Sequence, residues 1–276
     1  MMEEKHIKGY RFFRIIISLL LKLFYKMETI GKENIPESGP VVVCCNHTHA
    51  HDQFPLMMST KRMVHYMAKK EYFDSKMGWF FRSVGCIPVD RSIHDENAKE
   101  EALDVLEHGG IFGIFPEGTR NQLSCKKERI DELYKLFNKD MPKKDFIKII
   151  KKNRVRISQI DYLNKLKEDK IISNDIYKKY LLNPDKYLKE MVNNKIISIS
   201  DYDESLLLPF KFGAVSMANK TDAYILPFAS NGEYKIFGKR PKTIIGKPFK
   251  VKDGNLVEAN DRLRKEIINL LKSVME

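Results

Sequence analysis

The chain has 276 residues, 43% of them hydrophobic, and its 49 basic and 37 acidic side chains leave a net charge of +12. That hydrophobic share is enough for a core and excludes a globally disordered chain. The positive excess suits nucleic acid, anionic lipid or a phosphorylated substrate alike and does not choose among them.

Residues 1–30 are predicted to form an amphipathic helix. The apolar run at 15–21 is far short of the roughly 20 residues that span a bilayer, and no cleavable signal is expected. Lys8, Arg11, Arg14, Ser18, Lys22 and Lys26 recur every three or four positions, a narrow and mostly basic stripe. Phe12, Ile15, Ile16, Leu19, Leu20, Leu23 and Phe24 help fill the rest of the circumference. A wide apolar face with a thin cationic stripe fits a helix lying in an anionic membrane interface; the alternative is a helix packed on the protein's own core.

Residues 31–40 are rich in turn formers, and 41–45, an unbroken apolar run, predict a buried strand. A helix is expected from 52 to 60, a strand over 64–68, a helix over 71–84 and a short strand over 86–89. Ser92 suits the cap of a helix reaching about His108, which Gly109 and Gly110 stop; 111–115 predict another strand. This alternation implies an α/β sheet flanked by helices. Residues 122–205 interrupt it with 20 basic and 14 acidic side chains and little glycine, a set of short helices. Within it a pattern recurs weakly: a basic residue and isoleucine, a serine suited to a helix cap (Ser158, Ser173, Ser198), then aspartate and tyrosine. After Phe210 the expectation is a helix to about Asn219, a strand over 223–228, a strand or hairpin over 243–251, and a closing amphipathic helix over 257–274. The domain reading is therefore an N-terminal helix (1–30), a domain in two parts (31–121 and 206–276) and a helical insertion (122–205).

Chemistry concentrates after the strand at 41–45. His47 and Asp52 have four residues between them. Where a strand turns into a helix such a pair can meet; Asp52 fixes the tautomer of His47, and His47 removes a proton from a hydroxyl. His47, His49, His51 and Asp52 also carry a second reading, a zinc hydrolase site. Such a site needs further histidines downstream, and the remaining ones are His6, His65, His94 and His108. The basic insertion raises a third reading, nucleic-acid binding, but no aromatic-basic reader motif accompanies it, and no nucleic-acid partner is expected. Cys44, Cys45, Cys86 and Cys125 include no Cys-x2-Cys pair, so neither a zinc ribbon nor a disulfide framework is expected.

Four blocks stand in order: Asn46 to Asp52, Gly85 to Arg91, Phe115-Pro116-Glu117-Gly118-Thr119-Arg120, and Ile225-Leu226-Pro227-Phe228. On these the chain resembles the lysophosphatidic acid acyltransferases, glycerolipid acyltransferases with an N-H-x4-D motif. One departure is His49, where that family usually has serine or another small residue. The resemblance implies a glycerolipid-acyltransferase-like sheet and transfer of a fatty acyl chain from acyl-CoA or acyl carrier protein to the sn-2 hydroxyl of lysophosphatidic acid, with another lysophospholipid or hydroxylated lipid as the alternative acceptor. It makes His47 the base and Asp52 its orienter, and places Arg91 in the motif that grips the acceptor phosphate. Glu117, Gly118 and Thr119 would form a tight turn whose amides face an anion, with Glu117 on an acceptor hydroxyl. Arg120 would pair with Glu117 or with phosphate. Lys69 is a weaker phosphate candidate, and Pro227 is expected to shape a buried turn near the acyl site. No metal or cofactor is implied, and the expected location is the cytoplasmic face of the cell membrane, monotopic or peripheral.

Overall fold

The computed structural model describes residues 4–90, 92–93, 95–236, 238 and 240–275. It falls into two compact units, Met1–Gly118 with Phe210–Glu276, and Thr119–Pro209.

The first unit is a mixed α/β fold around a seven-stranded sheet. Its strands are β1 (Glu28–Ile30), β2 (Val41–Cys45), β3 (Val64–Lys69), β4 (Ile87–Val89), β5 (Ile111–Ile114), β6 (Tyr224–Ser230) and β7 (Lys242–Ile245). They lie in the order β1-β7-β6-β2-β5-β3-β4. Neighbours run parallel except β6 with β7. Every residue of β2 is buried, as an apolar run without alternation demands of a central strand covered on both faces. Its neighbours are β5 and β6, so all three carboxyl ends open on one edge. Ligands of open α/β sheets bind at that edge, and the motif blocks after β2 and β5 both emerge there.

Between the strands lie α1 (Glu4–Tyr25), α2 (Phe54–Ser59), α3 (Lys70–Phe73), α4 (Gly78–Ser83) and α5 (Glu96–Glu107). Two expectations are corrected here. The helix over 71–84 is two short helices, because Gly78 brings its backbone so near α3 that a Cβ there would stand 2.0 Å from the Phe73 carbonyl oxygen. The cap of α5 is Asp95, whose carboxylate accepts from the Ala98 N–H at 3.1 Å, while Ser92 bonds Asp90 instead. Strand β1 was not anticipated; its three residues pair only with β7 at the sheet edge.

Helix α1 rests on this unit by a narrow face. Tyr10 and Leu21 are buried, Phe13 packs on Trp79 and Phe80, and Arg14 donates to the Thr60 carbonyl at 3.1 Å. The polar stripe therefore turns partly inward at Arg14. The outward face is apolar: Phe12, Ile15, Leu19 and Leu23 are each about 60% exposed or more (59, 63, 68 and 63%). Among the described residues no helix is long and apolar enough to cross a membrane.

The second unit is helical: α6 (Lys127–Tyr134), α7 (Lys143–Lys152), α8 (Ile157–Glu168), α9 (Asn174–Leu181), α10 (Pro184–Asn193) and α11 (Ile199–Glu204). It has its own core, with Phe146, Ile150, Ile160, Leu163, Leu181 and Leu188 fully buried. The weak sequence repeat has a physical basis. Helices α7, α8 and α10 each end on a basic residue in the left-handed region, Arg154, Lys170 and Lys195. The next residue then donates back five positions: Val155 to Ile150, Ile171 to Leu166, Ile196 to Met191. These are three Schellman turns, each closed by an apolar residue. Ser173 and Ser198 cap the helices that follow. Ser158 does not: α8 begins at Ile157, one residue sooner after its left-handed residue than α9 and α11 do after theirs, and Ser158 is buried, bonding Asn121 and the Ser205 carbonyl. Asn121 also donates to the Leu206 carbonyl at 3.1 Å, clasping the entry of the unit to its exit.

After it the chain re-enters the first unit, where the Lys211 N–H bonds the Pro116 carbonyl at 2.9 Å. Helices α12 (Gly213–Lys220) and α13 (Leu256–Met275) complete that unit.

Candidate active site

Strand β2 delivers Asn46 and His47 to the open edge of the sheet. The Asn46 side chain imitates a further strand residue: Nδ2 donates to the Ser230 carbonyl at 3.0 Å and Oδ1 accepts the Ser230 N–H at 2.9 Å. The end of β2 is thereby fixed to the end of β6. The chain then doubles back, and the fully buried Asp52 carboxylate turns toward the residues before it. Its Oδ2 accepts the Thr48 and His49 N–H groups, both at 2.7 Å, and faces His47 Nδ1 at 3.1 Å. A carboxylate held by two amides cannot swing away from the imidazole, so the Nδ1–H tautomer is favoured and Nε2 is left with its lone pair.

The imidazole is also held from below. It stacks on Phe115, centroids 3.9 Å apart and planes within 15°, and Phe115 lies parallel to Tyr66. Tyr66 fits because residue 113 is glycine: a Cβ there would fall 2.1 Å from its ring. His47 remains partly exposed, its side chain 18% accessible. The imidazole is thus anchored, with one open side.

Glu117 lies buried after β5 and accepts the His47 N–H at 2.8 Å. The sequence offers it to an acceptor hydroxyl; the structure gives it a backbone partner within the motif. Gly118 turns with φ of +68°, its N–H on the Phe115 carbonyl at 2.9 Å, and a Cβ on it would meet Lys211 Cε at 2.9 Å. The positive φ favours glycine here. Lys211 thus stands beside this turn, a cation to which the sequence assigned no role.

Thr119 and Arg120 belong to the helical unit. There the Thr119 hydroxyl accepts from Lys126 at 2.6 Å, and Arg120 is exposed. Lys69 is exposed at the carboxyl end of β3, in register with Val89 of β4. Arg91 lies outside the described residues. Pro227 is not in a turn but inside β6, which runs on to Ser230. Its carbonyl accepts from Gly246 at 2.8 Å, and in a strand the nitrogen of a residue points to the same side as its carbonyl. The missing donor therefore falls past the β6–β7 ladder, whose last registered pair is Phe228 with Ile245, and costs little.

His49 and His51 pack with Tyr234. His49 and Tyr234 centroids are 4.9 Å apart, His51 and Tyr234 5.5 Å. His49 Nδ1 accepts the His51 N–H at 3.1 Å. Burial lowers the His51 pKa from its ordinary value, and the Asp52 charge partly opposes this. Among the described residues no three histidine, cysteine or carboxylate side chains are placed to hold a metal ion.

A family model described as Acyltransferase matches residues 26–231. The chain is 34% identical over 113 residues to a 1-acyl-sn-glycerol-3-phosphate acyltransferase of Bacillus subtilis (strain 168), covering 40% of this chain and 57% of that protein. It is 30% identical over 106 residues to a protein of the same description from Chlamydomonas reinhardtii, covering 37% of this chain and 32% of that one. The match spans less than two thirds of either relative. Among solved structures it is similar to the 1-acyl-sn-glycerophosphate (LPA) acyltransferase PlsC of Thermotoga maritima, with a TM-score of 0.51 over 96% of this chain and 79% of that one. At 17% identity that likeness is one of fold.

Proposed function

We propose, on the premise that this chain belongs to the acyltransferase family, that it transfers a fatty acyl chain from acyl-CoA or acyl carrier protein to the sn-2 hydroxyl of a lysophosphatidic acid. The product is phosphatidic acid, a step in phospholipid synthesis. The observation that carries this reading is the Asp52 carboxylate, fixed by two amides and aimed at His47 Nδ1.

His47 Nε2 takes the proton of the acceptor hydroxyl as the oxygen attacks the thioester carbonyl. The tetrahedral intermediate collapses, the carbon–sulfur bond breaks, and the thiolate leaves with the proton that His47 carried. Direct attack needs no acyl-enzyme. Glu117 anchors the His47 backbone through the transfer. Arg91, by its place in the family motif, binds the acceptor phosphate, for which a planar guanidinium gives a two-pronged grip. Lys69 is a further, weaker cation for the phosphate.

The acceptor and product are lipids, and the exposed apolar face of α1 supports peripheral attachment to an anionic membrane at its cytoplasmic face. Leu19 and Leu23 would enter the acyl boundary, with Arg11 and Lys22 beside the headgroups.

The test is an acceptor panel in mixed micelles with radiolabelled acyl-CoA and acyl carrier protein thioesters. Lysophosphatidate should be acylated in preference to lysophospholipids with a zwitterionic headgroup. Equal rates on both would remove the phosphate from the reading, and no transfer to any lysolipid would remove the reading itself.

A further inference from the structure

The Asp52 carboxylate is only half satisfied. Oδ2 takes the two amides and the imidazole, whereas Oδ1 is buried and makes no formed hydrogen bond to any described residue. A buried charged acceptor left open is costly. Tyr234, on the loop after β6, packs on His49 and His51, the residues just before Asp52, and its phenol interacts with the Asp52 carboxylate.

We infer that Tyr234 is a positioning residue: its hydroxyl donates to Asp52 Oδ1 and so holds the carboxylate that orients His47, an inference that rests on the role proposed above for that pair. The donor directions support it. Ser230 is pinned through its backbone by Asn46. Its Oγ accepts the Gly232 N–H at 3.2 Å, so its own proton is available to the Tyr234 oxygen 3.1 Å away. The phenol proton is then left over, and the Asp52 carboxylate beside it is the acceptor in need. Burial first, and then the Asp52 charge, push the phenol well above its ordinary pKa, so it stays a donor. The ring is fixed from outside by His49 and His51. This gives a function to the departure at position 49. Where the family usually has a small residue, this chain has an imidazole that forms the wall behind Tyr234.

The test is Y234F, which keeps the ring and its packing and removes the donor. It should lower kcat about tenfold, as expected for one hydrogen bond to a charged group, with KM for acyl donor and lysophosphatidate unchanged. The same substitution is then made in H47A. A residue acting through Asp52 on His47 has nothing left to orient there, so Y234F should cause no further loss. Melting curves establish that each variant is folded. Wild-type kcat in Y234F, a loss confined to KM, or a full further tenfold loss in the H47A background overturns the inference. If H47A itself retains more than about a tenth of wild-type rate, smaller than the loss expected of a base, the role of His47 fails instead, and the two failures are told apart.

Discussion

Replacing His47 or Asp52 by alanine should each lower acyl transfer by on the order of 10²–10⁴ without unfolding the protein, the range a general base contributes. The double variant should lose little more than either single one, because the two residues act as a unit. Steady-state rates on folded protein check both statements. His51 carries a separate, structural expectation. Burial lowers its folded pKa, so the folded state resists protonation that the unfolded chain accepts. The sign follows: this part of the stability is present above the unfolded value near 6.5 and is lost as the pH falls through the folded one. H51Q should therefore lose less melting temperature than wild type between pH 7.5 and 5.5, by calorimetry; an equal loss would place the acid sensitivity elsewhere. The pairing of His47 with Asp52 is legible in sequence because the two lie in one turn. The work of Asn46 is not, since its partner Ser230 is 184 residues away. Tyr234 escapes notice for the same reason: nothing local marks a tyrosine on a loop, and its meaning comes from a carboxylate that only the closed sheet brings to it.

Among the elements, α1 carries the sharpest expectation. Leu19→Glu with Leu23→Glu places two charges on the outward apolar face and should abolish sedimentation with vesicles containing anionic lipid, while activity on a lysophosphatidate dispersed below its critical concentration survives. Undiminished sedimentation would assign the face to protein contacts. The apolar circumference of this helix was visible in the spacing, yet which side would face inward was not. Arg14 turns inward because the Thr60 carbonyl accepts from it, a tertiary partner that no helical wheel contains. The buried strands were similarly plain from unbroken apolar runs such as 41–45. The split of α3 from α4 was not, since its cause is a close approach between Gly78 and the Phe73 carbonyl. Strand β1 is too short to carry a periodic signal, and its pairing with β7 joins residues more than 200 positions apart.

At the scale of the molecule, we expect residues 122–205 to be a separable helical piece and not catalytic machinery. Replacing them by a short Gly/Ser linker should leave folded protein with measurable acyl transfer, since adding or removing a long loop between close ends costs little closure entropy. A folded deletion variant with no turnover would make the helical unit part of the active site. The segment stands out in the sequence by composition. Its interior order does not, because the three Schellman turns depend on backbone conformation at Arg154, Lys170 and Lys195, which are basic residues and not the glycines that usually advertise such turns.

The clasp made by Asn121 has a consequence for how such a chain can change over generations. One amide side chain ties the first residues of the helical unit to its last, through Ser158 and the Leu206 carbonyl, and the host unit closes its own gap separately with the bond from Lys211 to Pro116. Each side of the junction is sealed without the other. We expect a stretch of gene encoding the helices to tolerate lengthening by another helix-and-turn copy, shortening, or exchange at this seam.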